Sequence, residues 1–244
     1  MEKNKGYQDY LNRVQESGIK SIAKKLAKKN DFLLRKYYNL TNISTKKVHK
    51  IPNIKNAKRI LDIGCGTGDT LFYIKKFINN DADFYGFDLE KNAKLYDFIK
   101  FYNYDVDERK FIYPELFNSF DIILSNFVLE HLKNPANIFE DSFKFLRSEG
   151  YFYCSTEYYT SIFCPDYWNF YSDPTHVRPW TKRSLRVLAE MVGFEIIEVG
   201  IIRWWEFLPL LPVFPLLNIL TKSNFSFIPY EIIGRSVYII CKKP

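Results

Sequence analysis

Hydrophobic and polar positions alternate in two different ways along the 244-residue chain. Over residues 7–40 few helix breakers occur. Ile19, Ile22, Ala23 and Leu26 recur there at helical spacing, while Lys20, Lys24, Lys25, Lys28 and Lys29 fall on other faces. That spacing predicts a helix docked by one apolar stripe. Thr41 to Ile54 is polar and reads as a connector. From Lys58 onward, short apolar runs alternate with helical stretches. Strands are expected at Arg59–Cys65, Asp83–Leu89, Phe98–Asp105, Phe120–Phe127, Gly150–Glu157, Phe194–Ile202 and Ser236–Lys242. Helices are expected at Asp69–Ile78, near Lys91–Tyr96, from Pro135 to about Arg147, and from a Thr181 cap to Val192, where Gly193 ends the last one. Apolar strands alternating with helices imply an α/β fold whose largely parallel sheet is covered on both faces.

The pattern divides the chain into a basic helical N-terminal cap, residues 1–50, and a larger domain, residues 51–244. Within the latter, residues 203–235 form an apolar insertion before the last strand. Charge sharpens the division. The net charge is +7, but residues 1–50 alone hold 13 basic and 4 acidic side chains, so the remainder is slightly negative. A whole-surface nucleic-acid binder is disfavoured, while local contact with an anionic partner or membrane surface stays open. The most apolar stretch, Phe207 to Leu220, is interrupted by Pro209, Pro212 and Pro215. It falls short of the roughly 20 residues that span a bilayer. Cys65, Cys154, Cys164 and Cys241 have no paired spacing, and together with a polar N-terminus without a signal-peptide core they suggest reduced thiols in a cytoplasmic protein. His49, His131 and His176 look isolated in sequence, so no metal site is expected.

The most informative string is Leu61-Asp62-Ile63-Gly64-Cys65-Gly66-Thr67-Gly68, at the end of the first strand. Glycines here allow a tight turn and close approach of backbone to a nucleotide. Asp69 stands where a dinucleotide fingerprint would place its third glycine, and no phosphate loop of the G-x-x-x-x-G-K-[ST] type occurs. A dehydrogenase or a nucleoside-triphosphate enzyme is therefore not expected.

This string resembles motif I of class I S-adenosylmethionine-dependent methyltransferases, and the resemblance continues over about residues 58–202. Asp88 closes Tyr85-Gly86-Phe87-Asp88-Leu89, Asp105 follows Tyr104 with Val106 beside it, and Phe120 to Leu132 matches the fourth-strand motif. The resemblance implies a Rossmann-like, doubly wound sheet of seven mostly parallel strands with the last antiparallel. It implies S-adenosyl-L-methionine as cofactor, leaving S-adenosyl-L-homocysteine. Asp62, Gly64, Cys65, Gly66 and Gly68 would form the cofactor loop. Asp88, with Leu89, would accept hydrogen bonds from the ribose hydroxyls. Asp105 and Val106 would face the adenine, and Ser125 and Asn126 would lie on the methyl side. Cys65 needs only to be small.

Acceptor residues are expected after the fourth and fifth strands. Asp173-Pro174-Thr175-His176-Val177-Arg178-Pro179-Trp180-Thr181 resembles a segment of methyltransferases associated with surface polysaccharides and related glycans. Histidine titrates near neutrality, so His176 is the candidate base for a hydroxyl acceptor. Arg178 could grip a phosphate or carboxylate, unless it braces the loop by pairing with Asp173. Tyr158, Tyr167 and Trp168 suit contact with a sugar or base, although such aromatics also build cores. The expected function is O-methylation of a sugar, nucleotide-linked sugar or capsular or surface polysaccharide precursor. The alternatives are a small-molecule or lipid-quinone methyltransferase, and a cofactor-binding partner module without catalysis. No N-P-P-[YF] motif follows the fourth strand, which argues against a nucleic-acid substrate. The basic cap and the apolar insertion together suggest peripheral membrane contact. Oligomeric state is not legible.

Overall fold

A computed structural model describes residues 30–110, 113–165, 168–221 and 228–244. The expected stripe at Ile19 to Leu26 lies outside the described residues. The chain divides into two compact units, Met1–Ile43 and Ser44–Pro244. In the first, helix α1 (Asp31–Thr41) starts on Asn30, whose side chain accepts the Phe32 and Leu33 N–H groups. Leu34 and Tyr38, four residues apart on one helix face, are buried.

The second unit is built on one seven-stranded sheet. Its strands are β1 (Arg59–Ile63), β2 (Asp83–Asp88), β3 (Ile99–Asn103), β4 (Phe120–Asn126), β5 (Leu146–Glu157), β6 (Glu195–Ile202) and β7 (Ser236–Lys242). They lie in the order β3-β2-β1-β4-β5-β7-β6. β7 runs antiparallel to both β5 and β6, and the other pairings are parallel, which bears out the expected sheet. Alternate residues explain why the strands read as continuous apolar runs. Leu61, Ile63, Phe87, Ile123, Phe152 and Ile239 join one core cluster. Ile60, Phe84, Ile122, Leu124 and Ile240, at the intervening positions, are buried too.

Helices α2 (Asp69–Phe77), α3 (Ala136–Phe145) and α4 (Lys182–Val192) follow β1, β4 and the long loop after β5. Leu185 and Ala189 of α4 and Ile138, Phe139 and Phe145 of α3 enter the same core cluster. Thr181 and Ser184 form a capping box at the start of α4, and Gly193 ends it at φ 99°. The helix expected near Lys91–Tyr96 is absent. Asn92 accepts the Lys94 N–H through its side chain, a local turn that competes with helix.

Two features place the site. Strand order reverses between β1 and β4, so a crevice opens beyond their carboxyl ends. Ile202 at the end of β6 and Glu157 at the end of β5 both pair with Ser236. The insertion therefore leaves and rejoins the sheet on the edge where the crevice lies. It contains a 3-10 turn (Trp205–Leu210), α5 (Phe214–Thr221) and α6 (Ile228–Ile233). Trp205, Leu208, Leu216 and Ile219 are exposed, while Trp204 is buried and stacks on Phe207. Among the described residues no helix is long and apolar enough to cross a membrane.

Candidate active site

The glycine loop is held in left-handed geometry, with Gly64, Gly66 and Gly68 at φ 77°, 50° and 77°. A Cβ on Gly64 would meet Val128 Cγ2 at 2.1 Å, and one on Gly68 would meet Ile99 Cδ1 at 2.3 Å. The space beside Gly66 is open. Two of the glycines are thus fixed by packing and the third leaves room for a ligand. Cys65 is buried. Its Sγ lies so close to Gly86 that a Cβ there would stand 2.6 Å away, so the cysteine packs the loop onto β2, and burial pushes its thiol pKa up. A small packing residue is what the sequence implied.

Asp88 Oδ2 accepts the Gly66 N–H at 2.8 Å, and Oδ1 accepts the Leu89 N–H at 2.7 Å. Each oxygen keeps a further lone pair for a ligand hydroxyl. Burial raises the Asp88 pKa, against the pull of these two bonds. Asp62 lies deeper. Burial, and then the nearby Asp88, raise its carboxyl well above the usual range, and its Oδ1 has no partner. The Tyr104 N–H donates to Asp88 O, which brings the segment after β3 beside the loop. Asp105 follows a shorter β3 than expected, and its Oδ1 accepts the Glu108 N–H. Val106 is buried, and its carbonyl accepts from Asn137 Nδ2.

At the end of β4, Ser125 Oγ and Asn126 Nδ2 are buried and unpartnered, while Asn126 Oδ1 accepts from Ser155 Oγ. Leaving buried polar atoms unmade costs about 1–3 kcal/mol each. Asp62, Ser125 and Asn126 thus supply an acceptor, a hydroxyl and a donor around the switch point, with open space at Gly66. A polar nucleoside cofactor fits that set.

Beyond β4 the structure assembles a cluster that sequence spacing conceals. Glu130, His131 and His176 each offer a ligand-type atom, all within 4.8 Å of one another. The view of these histidines as isolated is corrected: His131 and His176 have ring centroids 4.8 Å apart. His176 Nδ1 lies 2.7 Å from Phe170 O, and since a carbonyl only accepts, Nδ1 carries the proton. His131 Nδ1 lies 2.8 Å from Thr175 Oγ1, whose own proton goes to Asp173 Oδ1 at 2.6 Å. Both rings therefore hold Nδ1–H toward oxygen and carry the lone pair on Nε2. Burial, followed by the neighbouring His176, lowers the His131 pKa to about 4. Burial works against ionisation of Asp173, yet the Thr175 bonds and both imidazoles hold it below the usual carboxylate range. Glu130 is raised to about 8, first by burial and then by Glu157, although Thr156 Oγ1 donates to its Oε2. Two atoms on one ion at about 2.1 Å stand no more than about 4.2 Å apart, so this cluster would have to draw in to hold a metal.

The other expected acceptor residues separate. Arg178 stacks its guanidinium 4.9 Å from the Trp180 ring instead of pairing with Asp173. Trp168 lies 5.6 Å from the Arg235 guanidinium. Tyr158 belongs to the buried core cluster and bridges to Trp180, so it is a core aromatic before it is a contact residue. Tyr167 lies outside the described residues. Sequence reasoning missed Glu130 and Thr175; the adjacency Glu130-His131 was the only signal.

Comparison with known proteins agrees with this geometry. A family model described as a methyltransferase domain matches residues 34–199, more than half of the chain. Phosphoethanolamine N-methyltransferase 1 of Arabidopsis thaliana is 29% identical over 160 residues, 61% of this chain and 30% of that protein. The chain thus spans about a third of that relative's length. Among solved structures, the methyltransferase in the Haloferax volcanii complex with the Trm112 methyltransferase activator superposes with a TM-score of 0.64. It is 16% identical, over 86% of this chain and 92% of that one. Phosphoethanolamine N-methyltransferase 2 of Haemonchus contortus, solved with S-adenosyl-L-methionine, has a TM-score of 0.59 at 18% identity, over 83% of this chain and 52% of that one. With the glycine loop, the acidic strand ends and the sheet order in place, the chain belongs to the methyltransferase domain family.

Proposed function

We propose that the chain methylates a hydroxyl of a sugar, nucleotide-linked sugar or surface-polysaccharide precursor. The observation that carries this reading is the histidine pair with both Nδ1 atoms tied to oxygen. His176 Nε2 then accepts the hydroxyl proton, and the Nε2 lone pair of His131 offers that proton a second acceptor beside it. A hydroxyl needs such a base, because its oxygen is a weak nucleophile while it holds the proton. When bound, the cofactor supplies an electrophilic methyl group. Asp88 would hold the ribose hydroxyls, Asp105 and Val106 the adenine side, and Asp62, Ser125 and Asn126 the remaining polar atoms.

Incubation of the purified chain with S-adenosylmethionine and a panel of nucleotide sugars tests this through release of S-adenosylhomocysteine. Turnover is expected with at least one, and His176→Gln should remove it while cofactor affinity by calorimetry is kept. No release above the acceptor-free rate with any sugar of the panel, or full turnover by the variant, overturns the reading.

The curated relatives favour a second reading, an amine on a small phosphorylated alcohol, because they are named phosphoethanolamine N-methyltransferases. An ammonium acceptor also has to shed a proton, so the same pair would serve. Phosphoethanolamine therefore belongs in the panel.

The exposed Trp205, Leu208, Leu216 and Ile219 support contact of the insertion with a membrane surface from the cytoplasmic side.

A further inference from the structure

Two segments leave the histidine pair side by side, joined where the Val177 N–H donates to Glu130 O at 2.8 Å. One continues through Lys133 to the start of α3, the other through Arg178 to the start of α4. Between them lies a cavity of about 620 Å³. Lys133, Arg178 and Arg183 line it, and none of the three forms an ion pair among the described residues. Three cations on one cavity wall, none of them in a close ion pair, favour an anion there, even with Glu108 acting on Lys133 at longer range and Asp107 accepting the Lys133 N–H.

Two further observations point the same way. Trp180, also in the lining, is only 5% exposed, yet its Nε1 has no hydrogen-bond partner. Such a donor is costly to leave unmade, and a ligand oxygen would satisfy it. The two helix starts also differ. α4 is closed by its own capping box, whereas α3 follows Pro135 with no capping side chain, and its first turn lines the cavity through Ala136 and Asn137. The Asn137 N–H turns back to Asn134 O, and Asp107 accepts the Lys133 and Asn134 N–H groups just ahead of the helix; the remaining uncapped N–H groups favour negative charge. The outer wall is apolar, with Val187 and the 78%-exposed Met191 of α4.

We propose that this cavity binds a phosphate or diphosphate ester carried by the methyl acceptor. The anion sits among Lys133, Arg178 and Arg183, and the organic remainder lies on Val187 and Met191. Lys133 and Arg178 each stand two residues from a histidine of the pair, at most about 7 Å along the chain. A sugar ring bridging that gap would put a hydroxyl at His176 while its phosphate stays in the cavity. The proposal rests on the histidine pair being the acceptor site.

The same diphosphate chemistry could come from a soluble nucleotide sugar or from a lipid-linked one. Calorimetry on the full chain with inorganic pyrophosphate, UDP and farnesyl diphosphate separates these sources without any methyl transfer. Pyrophosphate is expected to bind, with tighter binding of UDP marking a nucleoside ester and of farnesyl diphosphate a lipid ester. In the double variant Lys133→Gln/Arg183→Gln the affinity should fall at least about tenfold and S-adenosylhomocysteine affinity should stay unchanged. No binding of any of the three probes, or equal binding by wild type and double variant, overturns the proposal. His176→Gln keeps these reading frames apart: it should leave pyrophosphate binding unchanged, so normal turnover in that variant would remove the base and leave the cavity standing.

Discussion

Gly64 and Gly66 share a left-handed backbone but differ in what surrounds them, and substitution should separate the two. Alanine at Gly66 meets no protein atom and costs the free fold only the left-handed penalty of about 1–2 kcal/mol, although its Cβ takes room left for the cofactor. At Gly64 it must also displace Val128, so the loss in thermal midpoint of the free protein should be clearly larger. Val128→Ala added to Gly64→Ala should recover part of it. Equal losses at the two positions would show that packing on β4 is not what holds the loop. Glu130 offers a second measurement. Unfolded, it ionises near the ordinary 4.5; folded, only near about 8. The unfolded chain thus releases a proton that the fold retains, so this group's contribution to stability declines as pH rises from about 4.5 to 8. His131 acts oppositely. Its folded value near 4 makes stability fall as pH drops below about 6.5. Glu130→Gln should remove this decline of the thermal midpoint between about pH 4.5 and 8; an unchanged slope from about pH 6.5 to 8, above the range where His131 acts, would refute the assignment. The glycines and acidic strand ends were legible because each sits within a contiguous motif. The Glu130–His131–His176 cluster was not, because His176 lies 45 residues beyond His131 and meets the other two only through loop folding.

Among the elements, α4 is the one whose limits are written most clearly into its sequence. Thr181 and Ser184 close its start reciprocally, and Gly193 closes its end at a φ that other residues adopt with strain. Thr181→Ala should cost about 1 kcal/mol, read as a lower denaturant midpoint with an unchanged slope. A shift within error would mean that α4 is held by core packing alone. The strands were legible for a related reason: both faces are covered, so their runs are apolar throughout. Boundaries slipped at two strand ends. β3 ends at Asn103, opposite the last residue of β2, and β5 begins at Leu146, where it pairs with Phe120 ahead of a register shift. The insertion was recognised by its prolines, but its short helices were not predicted, since no periodicity survives those breaks. Its exposed apolar residues make a measurable claim on membranes. Co-sedimentation with anionic vesicles should be detectable at low salt, and Trp205→Ser with Ile219→Ser should weaken it; retention by the double variant would assign attachment elsewhere.

At the scale of the second unit, a buried charge group ties the sheet edge to the insertion. Arg235 donates to Glu157 at 3.1 Å and to Glu231 at 2.7 Å, joining β5, α6 and the approach to β7. Burial lowers the Arg235 pKa, and the two carboxylates more than offset it. Arg235→Ala would strand both carboxylates and should destabilise the fold by about 3 kcal/mol or more, seen in chemical denaturation. A loss under about 1 kcal/mol would mean water satisfies the acids instead. Such a triad is invisible in the sequence, where Glu157 and Arg235 stand 78 residues apart.

The pairing of Ile202 with Ser236 has a meaning for how this fold can be altered. A connection that departs and returns on neighbouring rungs of one ladder has its two anchor points fixed by the sheet, whatever lies between them. Its length is then nearly free, since doubling a loop costs only about 0.6 kcal/mol. The segment between those rungs can be exchanged as a cassette. Splicing there would change what stands at the crevice edge, while the glycine loop and the acidic strand ends are left as they are.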